Sequence, residues 1–148
     1  MTARSEHLVF VIGGARSGKS SFAEARIRAL PPPWLYIATG QAFDVEMRAR
    51  IARHRAERGD GWTTIEAPHD LAGALRKAPA DAPVLVDCLT LWLTNRLLAE
   101  ADLVRERAEL VAALAARRAP TVVVSNEVGL GIVPDNALSR RFRDEAGF

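Results

Sequence analysis

Eight consecutive residues, Gly13-Gly14-Ala15-Arg16-Ser17-Gly18-Lys19-Ser20, carry the clearest chemical signal in the chain. They fit the pattern G-x-x-x-x-G-K-[ST], and each position has a physical reason. The glycines let the backbone turn so that successive N–H groups point inward at phosphate oxygens. Lys19 reaches the β- and γ-phosphates and the Ser20 hydroxyl binds Mg²⁺. The segment lies between an apolar run, Leu8 to Ile12, and a helical pattern that begins at Lys19. That strand–loop–helix setting is what the motif requires, and the helix adds its positive end to the anion site. A dinucleotide-binding loop is the poorer fit, because position 15 is alanine where G-x-G-x-x-G needs glycine.

Two further residues have the right chemistry to join a nucleotide site. Asp87 closes the apolar run Pro83 to Asp87. A carboxylate at such a strand end holds Mg²⁺ in phosphate-loop enzymes; the plainer alternative is a cap for the next helix. Beside the phosphate loop, the metal reading is the expectation taken forward. The other residue is His54. If 45–58 is helical, Met47, Ile51 and His54 share one face, and Glu46, Arg50, His54 and Arg58 form an overlapping i, i+4 stripe. Two readings stay open: a satisfied, half-buried histidine, or a nucleophile or acid–base group. The neighbouring arginines disfavour imidazolium, and a neutral ring nitrogen can attack phosphorus.

These residues need elements to position them. Leu8 to Ile12, Trp34 to Ala38, Pro83 to Asp87 and Thr121 to Ser125 are short apolar runs of the kind expected for strands buried on both faces, and Trp62 to Glu66 is a more polar fifth. Between them lie helical patterns at Lys19 to Leu30, Val45 to Arg58, His69 to Lys77, a long stretch from Leu89 to Arg118, and Asn136 to Ala146. Buried strands alternating with helices predict an α/β fold with a mainly parallel sheet and right-handed crossovers. Pro31-Pro32-Pro33 ends the first helix.

Composition bounds the rest. The 148 residues are 49% hydrophobic and 26% charged, which reads as one packed domain spanning 1–148. A single cysteine, Cys88, excludes an internal disulfide framework and a cysteine zinc cluster, and reads as a small buried hydrophobe. The net charge is +2 with a pI near 9.2, and 18 of the 20 basic residues are arginine. Most read as solvated helix faces, so nucleic acid is not the expected partner. No run approaches the roughly 20 apolar residues that span a membrane, and no signal-peptide core stands out, so the expected location is cytoplasmic. The fourth predicted strand runs into Ser125-Asn126-Glu127-Val128-Gly129, not the Asn-Lys-x-Asp guanine reader of switching GTPases, and no transport-ATPase signature is present. A small phosphotransferase remains. His7 and His69 read as surface residues. Trp34, Trp62 and Trp92 read as core or subunit-contact residues, with stacking on a ligand the alternative.

Several segments together resemble a known family: the phosphate loop, Tyr36-Ile-Ala-Thr39, Glu46-Met47 through Arg50-Ile51 to His54-Arg55, Trp62 with Glu66, and Asn126-Glu127-Val128-Gly129 through Gly131-Ile-Val-Pro134. They occur in the order found in the bifunctional adenosylcobinamide kinase/adenosylcobinamide-phosphate guanylyltransferases of cobalamin biosynthesis, over nearly the whole chain. The resemblance implies a phosphate-loop, RecA-like, three-layer α/β fold and a homotrimer. It implies two reactions: phosphorylation of adenosylcobinamide by ATP or GTP, then guanylyl transfer from GTP through a covalent GMP–histidine intermediate to give adenosylcobinamide-GDP and pyrophosphate. His54 matches the guanylylated histidine. Gly13, Gly14, Ala15, Arg16, Ser17, Gly18, Lys19 and Ser20, the turn Thr39-Gly40-Gln41, the run Arg55, Ala56, Glu57 and Arg58, and Glu66 and Asp87 fall at the family's nucleotide-contacting positions, with Ser20 and Asp87 the metal-holding pair. For the base of the kinase step, Asp87 and Glu127 are the candidates. The family continues beyond Phe148 with a strand and a hairpin that this chain reads as lacking, and it often carries glutamate where Asp87 stands.

Overall fold

Alternate residues of the predicted strands point into two different cores, and this alternation builds the layers. The computed structural model describes residues 8–13, 18–40 and 45–126, without the side chains of Met47, Arg50, His54 and Asn126. Five strands, β1 (Leu8–Gly13), β2 (Trp34–Ala38), β3 (Trp62–Glu66), β4 (Val84–Asp87) and β5 (Thr121–Asn126), form one sheet in the order β1-β5-β4-β2-β3. Every pairing is parallel. The helices are α1 (Lys19–Arg28), α2 (Val45–Arg58), α3 (Leu71–Lys77), α4 (Leu89–Leu98) and α5 (Leu103–Ala115).

Leu35, Ile37, Val84, Val86 and Val123 face α3, α4 and α5, where Leu71, Leu75, Trp92, Leu93 and Leu110 complete the larger core. Tyr36, Leu85, Val122 and Val124 point the other way, against Ala23 and Ile27 of α1. Strands covered on both faces need apolar residues at every position, which explains the unbroken runs of β2, β4 and β5; β1, expected to be buried on both faces, is instead an edge strand of the described sheet, with Phe10 and Ile12 exposed. Each fully buried Leu or Val side chain contributes about 1.5–3 kcal/mol. No part of the Leu85 side chain is exposed, and cutting it to alanine would cost about 2–5 kcal/mol through the cavity left behind.

The predicted α/β architecture is the observed one. Trp34–Ala38, Trp62–Glu66 and Val45–Arg58 occur with the expected bounds. Helix α3 starts two residues later than predicted because Asp70 is its cap, accepting the Gly73 N–H at 3.0 Å. The long helical stretch from Leu89 to Arg118 is corrected: it is two helices. Helix α4 stops at Ala99, Glu100 turns into the left-handed region at φ 55°, and Asp102 opens α5 by accepting the Arg105 N–H at 3.1 Å. Local capping chemistry outweighs the good helix propensity of the alanines around the break. Among the described residues no helix is long and apolar enough to cross a membrane. The helix predicted over Asn136 to Ala146 lies outside the described residues.

Candidate active site

Parallel strands deliver their carboxyl ends to one side of the sheet, and ligands of open α/β sheets bind there. Register sets what arrives. Ala38 at the end of β2 pairs with Glu66 of β3 on one side and Asp87 of β4 on the other. Gly13 at the end of β1 pairs with Asn126 of β5, the strand that separates β1 from β4. The start of the phosphate loop and the two acidic strand ends therefore share one rim.

Gly18 stands before α1 at φ 78°, a conformation glycine adopts without the Cβ penalty. Gly18 itself makes no side-chain cap bond and the first turn of α1 holds no acid, so the positive end of the helix dipole faces this rim without a carboxylate of its own turn. Lys19 and Ser20, both half-buried, form the first turn. The Ser20 hydroxyl reaches Asp87 Oδ2 at 3.5 Å. Asp87 is not the cap of α4; that role falls to Cys88, whose sulfur accepts the Leu91 N–H at 3.4 Å. The Asp87 carboxylate is thus left to line a cleft of about 270 Å³ together with Ser20, Ser21, Glu24, Tyr36, Glu57 and Arg58.

One wall of that cleft is unusually well fixed. The Tyr36 hydroxyl donates to Asp87 Oδ2. Burial, then the Asp87 charge and this hydrogen bond, push the phenol pKa well above its ordinary value, so Tyr36 remains a donor. The Arg58 guanidinium lies 3.5 Å from the centroid of the Tyr36 ring, a cation–π contact in a desolvated setting. Arg58 also donates to Thr64 Oγ1 at 3.0 Å, and its carbonyl accepts from Arg28 at 3.1 Å. Its Nε is buried without an acceptor among the described residues.

Other predicted residues distribute around this cleft. Arg55, Ala56 and Glu66 line a second, larger groove of about 560 Å³ with Arg48, Ile51 and Ala52. Arg58 and Glu57 face one opening, Arg55 and Ala56 the other, so the last turns of α2 border both. His54 lies on α2 one turn before Arg58; its side chain is outside the described set. Thr39 is fully buried. Its hydroxyl donates to the Cys88 carbonyl at 2.6 Å and accepts the Cys88 N–H at 2.8 Å. It therefore ties the end of β2 to the start of α4, and its carbonyl is held by Asn95 at 2.8 Å. Gly40 follows it, half-buried. Gly14, Ala15, Arg16, Ser17, Gln41 and Glu127 lie outside the described residues.

Burial raises the Cys88 thiol pKa, in keeping with its reading as a buried hydrophobe. Trp92 is buried in the larger core, whereas Trp34 and Trp62 are half-buried and tilted against each other with centroids 5.3 Å apart. His69 is exposed, as expected; its Nδ1 sits 3.0 Å from Arg96. Sequence reading missed Tyr36 and Glu24 as cleft residues. The strand alternation that puts Tyr36 on the face of Asp87 was legible, but the register joining β2 to β4 was not.

Comparison with known proteins shows the family. A sequence model described as "Cobinamide kinase / cobinamide phosphate guanyltransferase" matches residues 9–148. The bifunctional adenosylcobalamin biosynthesis protein CobP of Pseudomonas aeruginosa is 50% identical over 141 residues, covering 93% of this chain and 82% of that relative. The proteins named CobU of Salmonella typhimurium and Escherichia coli are 43% and 40% identical, each alignment covering 95% of this chain and 86% of the relative. With its phosphate-loop strand, its acidic strand ends and this likeness over nearly its whole length, the chain belongs to the cobinamide kinase / cobinamide phosphate guanyltransferase family.

Proposed function

We propose that this chain catalyses both reactions of its family in cobalamin biosynthesis at the rim formed by Gly18, Lys19, Ser20 and Asp87. In the first, the alcohol oxygen of adenosylcobinamide attacks the γ-phosphorus of ATP or GTP. The bond to the nucleoside diphosphate breaks, and the alcohol proton passes to a base or to water. In the second, a neutral His54 ring nitrogen attacks the α-phosphorus of GTP and pyrophosphate leaves. The phosphate oxygen of adenosylcobinamide phosphate then displaces the histidine, giving adenosylcobinamide-GDP and the free imidazole.

Family membership supports the pair of activities. The observation that carries the site is the convergence of the Ser20 hydroxyl on Asp87 Oδ2 beside the start of α1. These two hard oxygen donors suit Mg²⁺, which takes one or two protein ligands beside substrate phosphates. When bound there, Mg²⁺ neutralises phosphate charge. Lys19 adds a positive charge where the β- and γ-phosphates sit, and the N–H groups of α1 orient the triphosphate tail. Arg58 lines the cleft and brings a guanidinium able to serve a phosphate or ribose oxygen. Glu66, Arg55 and Ala56 border the neighbouring groove, within the reach of a nucleotide whose phosphates lie on the rim.

The test is intact-mass measurement after incubation with GTP and Mg²⁺. One added guanylyl group, removed by cobinamide phosphate with release of adenosylcobinamide-GDP, is the expected result. Kinase turnover without any protein-bound GMP would reduce the chain to a simple small-molecule kinase. The same reading carries a homotrimeric, cytoplasmic enzyme; light scattering on the purified protein checks the assembly.

A further inference from the structure

We propose that Tyr36 is a positioning residue for Asp87, holding one carboxylate oxygen by its hydroxyl so that the acid stays beside the Ser20 hydroxyl when a divalent cation and nucleotide arrive. This rests on the reading that Ser20 and Asp87 hold the cation.

The argument begins with register. Tyr36 pairs with Leu85 and Ala38 pairs with Asp87 across β2 and β4. Residues two apart on a strand share a face, so Tyr36 and Asp87 are diagonal neighbours on one side of the sheet, a separation that a long aromatic side chain can bridge. The hydroxyl does bridge it, meeting Asp87 Oδ2. Asp87 is half-buried at a strand end, where a free carboxylate could rotate to find water. The serine hydroxyl, at 3.5 Å from the same oxygen, is too distant to hold it firmly.

Tyr36 can hold Asp87 because its own ring cannot move. It is 6% exposed. The Arg58 guanidinium covers one face at 3.5 Å, and Trp62 meets it edge-on, with centroids 6.0 Å apart and planes at 80°. Arg58 is in turn fixed by Thr64 and by the bond from Arg28 to its carbonyl. A chain of contacts therefore runs from the C-terminal ends of α1 and α2 through an aromatic ring to the carboxylate. Packing alone would be served equally well by phenylalanine. The hydroxyl matters only through the carboxylate it bonds.

Tyr36→Phe separates these roles, since it keeps the ring and the cation–π contact. The probe is Mn²⁺, followed by electron paramagnetic resonance with a non-hydrolysable GTP analogue present. In Tyr36→Phe the Mn²⁺ affinity should fall about 10-fold or more, as when a group orienting a metal ligand is removed. Affinity for the analogue alone should stay at the wild-type value. Wild-type Mn²⁺ affinity in Tyr36→Phe, with the affinity lost in Asp87→Asn, would overturn the proposal and leave the cation site standing. Wild-type affinity in Asp87→Asn would remove the cation reading and the proposal with it. A second measurement does not depend on the variant folding. Tyr36 is the one tyrosine in the chain, so 3-fluorotyrosine labelling gives a fluorine signal from this ring alone. That signal should shift when Mg²⁺ is added to the analogue complex, beyond any shift from the analogue by itself, and should not do so in Asp87→Asn. An unmoved signal in the wild-type background would overturn the proposal.

Discussion

Ser20 and Asp87, 67 residues apart in the chain, meet with the serine Oγ 3.5 Å from Asp87 Oδ2. A hydroxyl from the first turn of a helix and a carboxylate from the end of a strand two positions away in the sheet become one oxygen-donor pair. Replacing Asp87 by asparagine keeps the shape and removes the charge. Several kcal/mol of charge stabilisation should be lost, so kinase kcat/KM should fall about 100-fold or more. Nucleotide titration without Mg²⁺ should not weaken, because the lost charge is one that repels the phosphates. Full Mg²⁺-dependent activity in Asp87→Asn would place the metal elsewhere.

Lys19 and His54 should separate the two reactions. Lys19→Ala should depress both, because each passes through a triphosphate held on the loop. His54→Ala should abolish retention of label from α-labelled GTP while sparing phosphorylation of adenosylcobinamide at least in part. An acid-labile GMP adduct that persists in His54→Ala would show that another residue is the nucleophile.

Gly18 should tolerate a methyl group sterically but not conformationally. A Cβ built there meets nothing within 4 Å, yet φ is 78°. Holding an L-residue in that region costs about 1–2 kcal/mol. Gly18→Ala should therefore lower the melting temperature modestly and weaken GTP binding as the loop relaxes. Calorimetry and nucleotide titration on the same sample check both.

Arg96 clasps Glu106 with two hydrogen bonds, 2.7 Å from Nε to Oε1 and 2.8 Å from Nη2 to Oε2, and so bolts α4 to α5. Glu106 is only 9% exposed. Arg96→Met leaves that carboxylate only the Arg105 guanidinium, 3.9 Å away, and should cost about 1–3 kcal/mol. The double variant Arg96→Met/Glu106→Gln should recover part of the loss, which a double-mutant cycle in urea would measure.

Cys88 gives a pH dependence with a definite sign. Burial raises its thiol pKa in the folded chain, while the unfolded thiol ionises near its ordinary value of about 8.5. In the alkaline range above that value the unfolded state binds fewer protons, so stability falls as pH rises; below it the contribution is whole. Urea melts from pH 7 to 9.5 should show a steeper decline in wild type than in Cys88→Ala. The folded thiol should also resist alkylation at pH 8.

The phosphate loop, its flanking strand and helix, the strand bounds and Asp87 as a candidate were all readable from residue order, because each depends on near neighbours: glycine torsions, apolar periodicity, a lysine and a hydroxyl at set offsets. The break after Leu98 was less plain, since a cap such as Asp102 competes locally with alanine-rich propensity and the outcome depends on which side wins. The order β1-β5-β4-β2-β3 was not readable at all. It is that order, and the register Tyr36↔Leu85 within it, that places a tyrosine under Asp87 and Arg58 over the tyrosine. Thr39 makes the same point: the family resemblance put it at a nucleotide turn, but folding closes its hydroxyl onto Cys88. Contacts between residues far apart in the chain follow from how whole strands and helices pack, and no short window of residues contains that information.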